Sequence, residues 1–357
     1  MGFQLSNNPY KVQPDKAFWS RSVSNNFYSN LLLDDSSELF KLKDKVTSAG
    51  SCFASNLIPY IEGAGLTYLR TEQLPHIFSS LGENLGYANF SAAYGNIYTT
   101  RQLLQLYLRS LNDFQPKDDN WLEKGYVIDA FRPGLKFPAS SVEEFKLHTK
   151  SHLRATREAF ETADVFVYTF GLTETWVSRI DGAAYPACPG TIAGTFDPKK
   201  YEFRNFTVEE IISDMSIFIE KLRGRNPKVR FILSVSPVPL VATATDQHVL
   251  TASTYSKSVL RVASDEVSRN FKDVTYFPAY EIITGPQAPK EYFEDDRRNV
   301  SKLGVEEVMS TLIQSSGLGT CSTPIQKQVE IDRDKAKLLS SKITQIECDE
   351  VMLDDQL

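Results

Sequence analysis

The sequence predicts an α/β protein built on a doubly wound, mostly parallel sheet. Three observations predict it. Unbroken apolar runs recur at 164–171 (DVFVYTFG) and 229–237 (VRFILSVSP), amphipathic stretches with helical spacing separate them, and glycine or proline closes each run. An unbroken apolar run suits a strand covered on both faces, and helices alternating with such strands supply the covers.

Taken in order, residues 1–42 are mixed and polar, with NPY and QPD breaks and the aromatic pair Phe18 and Trp19, and read as an extended lead-in packed on the domain. KVTSAG (45–50) is the first strand; Phe53, Leu57, Ile58 and Ile61 then follow helical spacing until Gly63 and Gly65 stop the helix. LTYLR (66–70) reads as a second, short strand. Leu103, Leu104, Tyr107 and Leu111 place a helix in 96–111, with Thr99 or Thr100 as its cap, and 112–142 is loop-rich. A long amphipathic helix at 143–163 leads into the central strand ending at Gly171. Residues 181–206 hold many glycines and prolines and no helical period; such an ordered inserted loop in a compact domain is usually functional. Thr207 and Glu210 form a capping box for helix 207–223. Strand 229–237, helix 255–267, strand 274–282 and helix 300–316 complete a domain spanning 43–316, and a charged tail occupies 317–357.

Composition excludes several function classes. With 41% apolar and 11% aromatic residues the chain can bury a core, so it is not disordered throughout. No apolar stretch reaches the roughly 18 residues of a membrane span, and the N-terminus lacks a charged region followed by an apolar one, so a cytoplasmic protein is expected. The net charge is −6, with no basic stripe, which argues against nucleic-acid binding. Cysteines 52, 188, 321 and 348 make neither a CxxC motif nor a disulfide framework. His148 and His152 stand four apart in KLHTKSHLRATRE, but without an acidic third ligand they read as a solvated helix face. No metal site is expected, and without a glycine-rich phosphate loop no nucleotide cofactor either.

In open α/β sheets ligands gather at the carboxyl ends of the strands. The candidate loops are therefore Gly50-Ser51-Cys52, Gly171-Leu172-Thr173-Glu174, Ser236-Pro237-Val238-Pro239 and 292–299. The first sets two nucleophile types at a strand–turn–helix junction, whose free N–H groups favour a thiolate or an oxyanion. A thiol is the better nucleophile near neutral pH, so Cys52 leads and Ser51 follows; a small cysteine packed where helix meets sheet is the bland alternative.

AGSCFA (49–54) is accompanied, in order, by NPYKVQPDKAFWSRSV, YGNIYTTRQLLQL, VFVYTFGLTETW, YPACPGTIAGTFDP, SVSPVPL, TYSKSVLR and YFPAYEI. Together these resemble the GSCFA domain family, grouped with the SGNH/GDSL hydrolase superfamily, over roughly residues 8–315. The resemblance implies a flavodoxin-like sheet of the SGNH type. Laid on the superfamily's Gly-Asp-Ser block, Gly50-Ser51-Cys52 puts Cys52 at the nucleophile. Its oxyanion asparagine falls on Thr173 after Gly171, and Asn96 is a further amide candidate. Its last Asp-x-x-His block falls on Asp295 and Arg298, and arginine, which stays protonated, cannot be a base. The proposed base is then His248, oriented by Asp295 or Glu174, with a purely structural role for His248 equally open and His76 a second candidate. Cys188 and Phe196 would wall the site; Lys257 and Arg261 would either meet an anion or form a solvated face.

The reading is an enzyme of ester chemistry: an acyl group passes to Cys52, or Ser51, and on to water or a hydroxyl. It would be an esterase or an O-acyltransferase, of a small molecule or a glycan as in polysaccharide modification, needing no cofactor beyond an acyl donor such as a coenzyme A thioester. The rival is a catalytically inactive binding module for glycans or acyl esters, and a redox role for Cys52 is a third reading. Oligomeric state leaves no mark on the sequence.

Overall fold

A computed structural model describes residues 8–25, 27–33, 39–73, 85–87, 89–316 and 318. The first strand, β1 (Lys45–Gly50), is buried after its first residue. Two short helices follow, α1 (Cys52–Ser55) and α2 (Ile58–Gly63), where one was expected. Next come β2 (Thr67–Tyr68) and α3 (Thr100–Ser110). Thr99 caps α3 in a complete capping box with Gln102.

Residues 112–142 are less irregular than their composition suggests. They hold an antiparallel hairpin, β3 (Asn120–Glu123) and β4 (Tyr126–Asp129). Its two-residue turn, Lys124-Gly125, has positive φ at both positions, as hairpin twist demands; lysine in place of asparagine hid it. The chain continues through α4 (Val142–Thr162) to the fully buried β5 (Val165–Phe170). The excursion after Gly171 folds as a second, antiparallel sheet of β6 (Glu174–Ser178), β7 (Ala184–Tyr185) and β8 (Tyr201–Asn205). Helix α5 (Val208–Arg223) opens on the Thr207–Glu210 capping box, and β9 (Arg230–Val235) follows.

Helix α6 (Val249–Asn270) is longer than expected at both ends. The strand expected over 274–282 is only β10 (Val274–Tyr276). Phe277 makes one more bond to the Leu233 carbonyl at 2.7 Å; Pro278, with no N–H to donate, then ends the pairing and opens α7 (Ala279–Thr284). The last helix is α8 (Lys302–Gln314), and of the tail only residue 318 lies among the described residues.

The central sheet is wholly parallel, in the order β10-β9-β5-β1-β2. Counted along the chain this is the flavodoxin-like order 2-1-3-4-5. Side chains alternate across it: Phe166, Tyr168 and Phe170 of β5 face a core built with α3, α4, α5 and α6, while Val165 and Val167 face α2, α7 and α8. The first core is rich in edge-to-face aromatics, Phe160 on Phe166 at 4.8 Å and Phe166 on Phe218 at 5.2 Å. Leu39 and Phe40 bury the end of the lead-in in the core, and Ser29 and Asn30 bond to Glu307 and Gln314 of α8, whereas Trp19 is 62% exposed.

Candidate active site

Strand order reverses between β1 and β5, and their carboxyl ends open the crevice where such sheets take ligands. Three segments meet there. Gly50 ends β1 opposite Thr169 of β5, so close that a Cβ would stand 2.6 Å from the Thr169 carbonyl oxygen, and its φ of +150° suits only glycine. Gly171 follows β5, and a Cβ on it would stand 2.9 Å from the Tyr98 carbonyl oxygen and 3.5 Å from Ser51 Cβ. The third segment, 96–98, stitches the other two. Ile97 N–H donates to the Gly50 carbonyl at 2.8 Å, and the Gly171 and Leu172 N–H groups donate to the Tyr98 carbonyl at 3.1 and 2.9 Å. The two glycines thus let three backbones approach closely enough to set residues 51 and 52 at the rim.

Within the turn the candidate nucleophiles differ. Ser51 is buried, and its Oγ makes no hydrogen bond among the described residues. Cys52, the first residue of α1, is half-buried and forms no disulfide. Access favours the sulfur. Cys188 is also half-buried and forms no disulfide, but desolvation pushes its thiol up to about 11, which leaves it inert near neutrality.

The remaining candidates scatter. Thr173 is fully buried, and both its N–H and its hydroxyl engage Ser256 Oγ, at 3.1 and 3.0 Å, so that hydroxyl is not open to a substrate. Glu174 accepts from Thr243 at 2.8 Å and holds the 243–245 loop; burial raises its pKa. His248 is exposed and caps α6, its Nδ1 accepting from Leu250 N–H at 3.2 Å. Asp295 is exposed and makes no hydrogen bond or ion pair among the described residues. Its neighbour Asp296 organises that turn instead, accepting from the N–H groups of Arg298 and Asn299 at 2.9 Å each. His248 and Asp295 therefore form no hydrogen-bonded triad with Cys52 in this structure. His76 lies outside the described residues.

Two side chains read as solvated are in fact buried. Lys257 is 3% exposed and its Nζ donates at 2.7 Å to the carbonyl of Gly171, the glycine packed on Ser51. Arg261, one turn on, is paired with Glu281 and Asp265 and stacked on Tyr276. His152 is 1% exposed, and its Nδ1 lies 2.6 Å from Glu72 Oε2. Burial, then Arg132, lowers the His152 pKa; burial alone would raise Glu72, but His152 and Arg132 bring it down to about 2. The imidazole and the carboxylate thus share one short, buried hydrogen bond. The solvated-face reading failed because Glu72 is distant in sequence. Among the described residues no group of His, Cys, Asp and Glu could hold a metal ion, and no helix is long and apolar enough to cross a membrane.

A parallel sheet with a thiol-bearing turn at its switch point defines the class. The GSCFA family matches residues 45–312, and the chain belongs to it. None of the curated proteins matches. Among solved structures, the chain is similar to an acetyl xylan esterase from the rumen bacterium Butyrivibrio proteoclasticus (12% identity, 77% of this chain and 64% of that one, TM-score 0.30). It is similar also to a carbohydrate esterase family 2 enzyme with its carbohydrate-binding domain from Corynascus thermopiles (13% identity, 77% and 67%, TM-score 0.29). At these scores neither likeness decides what this chain does.

Proposed function

We propose that the chain is an ester-processing enzyme whose nucleophile is Cys52. The observation that carries this is the position of the half-buried Cys52 thiol at the carboxyl end of β1, where strand order reverses. The Cys52 sulfur attacks the ester carbonyl, the C–O bond breaks, and the alcohol leaves with a proton. The resulting thioester is then cleaved by water, which releases the acid and restores the thiol, or by a hydroxyl, which yields a new ester. Backbone N–H groups around Ser51 and Cys52 are the natural donors to the oxyanion, since the Thr173 hydroxyl is engaged elsewhere.

Release of p-nitrophenol from p-nitrophenyl acetate tests the reading. Wild type and Cys188→Ala turn over, and Cys52→Ala falls by about a hundredfold or more, as loss of a nucleophile demands. Equal rates in all three would overturn it. Binding of acetylated glycans without any turnover would favour the inactive module, to which the engagement of Thr173 and the arginine at 298 already lend support.

A further inference from the structure

Beside the turn, between α3, α4, the loop after β4 and the end of β7, lies a cavity lined among others by Asn96, Gln105, Arg109, Phe131, Arg132 and His152. It adjoins the candidate active site: Asn96 is its wall, and the next residue, Ile97, is bonded to Gly50. Most of its polar groups are engaged. Gln105 donates to the Gly182 carbonyl and accepts from Ala184 N–H, each at 2.8 Å. Asp129 accepts from Arg132 Nε and from Phe131 N–H, each at 2.8 Å. Glu72 serves His152, Ala93 N–H at 2.8 Å and, at 3.5 Å, Arg132.

Apart from Gln102 Nε2, which is also left without a hydrogen bond, the exception is Arg109. It is 6% exposed and lines the cavity, yet among the described residues its guanidinium makes no hydrogen bond and no ion pair. It lies over the Phe131 ring at 4.0 Å, which fixes its plane. A buried guanidinium with unused N–H donors calls for an acceptor, and its planar fork matches the two oxygens of a carboxylate. Size narrows the choice. The cavity volume is about 30 Å³. At roughly 10–15 Å³ per water-sized occupant, that is room for about two oxygens and none for a sugar ring. Charge agrees in part: Arg132 is paired with Asp129 and Glu72, whereas Arg109 makes no ion pair among the described residues and feels Asp129 and Asp119 only across a longer gap.

We propose that this cavity is a carboxylate subsite, and, resting on the ester-processing reading above, that the substrate ester carries a free carboxylate on its acyl part or on its alcohol. The bulk of the ligand stays outside, with only the acid head inside against Arg109.

Two measurements on the full chain test this. The first is independent of turnover: succinate, glucuronate and inorganic phosphate are each titrated while the melting temperature is followed. Succinate or glucuronate raises it in wild type and not in Arg109→Met, whose side chain still packs on Phe131. The second compares kcat/KM for paired esters, p-nitrophenyl hemisuccinate against p-nitrophenyl butyrate for the acyl side, and acetylated glucuronate against acetylated glucose for the alcohol side. Wild type favours the charged member of one pair by about tenfold, the equivalent of ~1.4 kcal/mol, and Arg109→Met loses that ratio. Arg109→Lys, a milder change, keeps part of it and guards against a folding defect in the methionine variant. No stabilisation by either acid, which would mean a cavity holding water only, overturns the proposal. So does equal stabilisation of wild type and Arg109→Met, or a response to phosphate alone. If no ester is turned over but the acids still bind through Arg109, the subsite stands and the ester-processing reading falls.

Discussion

At the scale of single residues, the Glu72–His152 pair makes stability depend on pH with a definite sign. His152 has its pKa lowered from 6.5, so below that value the unfolded chain takes up a proton that the folded one refuses, and stability falls as pH drops. Glu72 is held near 2, against 4.5 in the ordinary case, so its contribution is complete above 4.5 and disappears as pH falls from there toward 2. Glu72→Gln should therefore melt well below wild type at pH 7, with the gap closing in acid; a gap independent of pH would contradict the pairing. Neither partner announces itself in sequence, since Glu72 and His152 lie 80 positions apart and meet only when α4 packs beside the segment after β2. Arg109 and Arg132 were invisible for the same reason: each is one charge without a pattern. Cys52 could be singled out because its neighbours, Gly50 and Ser51, report on the local backbone.

At the scale of elements, the clearest question concerns the N-terminus of α6. Its cap is His248, whose Nδ1 accepts from Leu250 N–H. Of the two roles open to this residue, the geometry supports the cap. Asparagine caps helices well and cannot act as a base near neutrality, so His248→Asn separates the two. The account expects activity within about twofold of wild type and an almost unchanged melting temperature. A loss of roughly 10²–10⁴ in rate with the fold intact would restore His248 as the base. Thr207, by contrast, is a cap in a complete box, and Thr207→Ala should cost about 1 kcal/mol in urea unfolding; no change would mean that α5 is held by packing alone. The Thr207 box was legible because Thr followed three residues later by Glu is a local pattern; at α3 only a cap at Thr99 or Thr100 was read, not its box with Gln102. The start of α6 was not, because Thr251, Ser253 and Thr254 blur the apolar period.

At the scale of the whole molecule, the parallel sheet was legible and the antiparallel parts were not. β1, β5 and β9 are buried along almost their whole length and left unbroken apolar runs. The strands of the β6–β7–β8 sheet and the β3–β4 hairpin are short, and the hairpin turn carries lysine where asparagine is usual. The sheet order itself, which creates the crevice between β1 and β5, emerges only from pairing across distant segments. That crevice carries the central claim, that the turn ending β1 presents a reactive sulfur to an ester. Mass spectrometry of the intact chain after brief exposure to p-nitrophenyl acetate, followed by mapping of the acylated peptide, tests it most directly. The account predicts a single acetyl group on the sulfur of Cys52 and none on Ser51 or Cys188. An acetyl group mapped to Ser51, or no adduct under conditions where the nitrophenol is released, would contradict it.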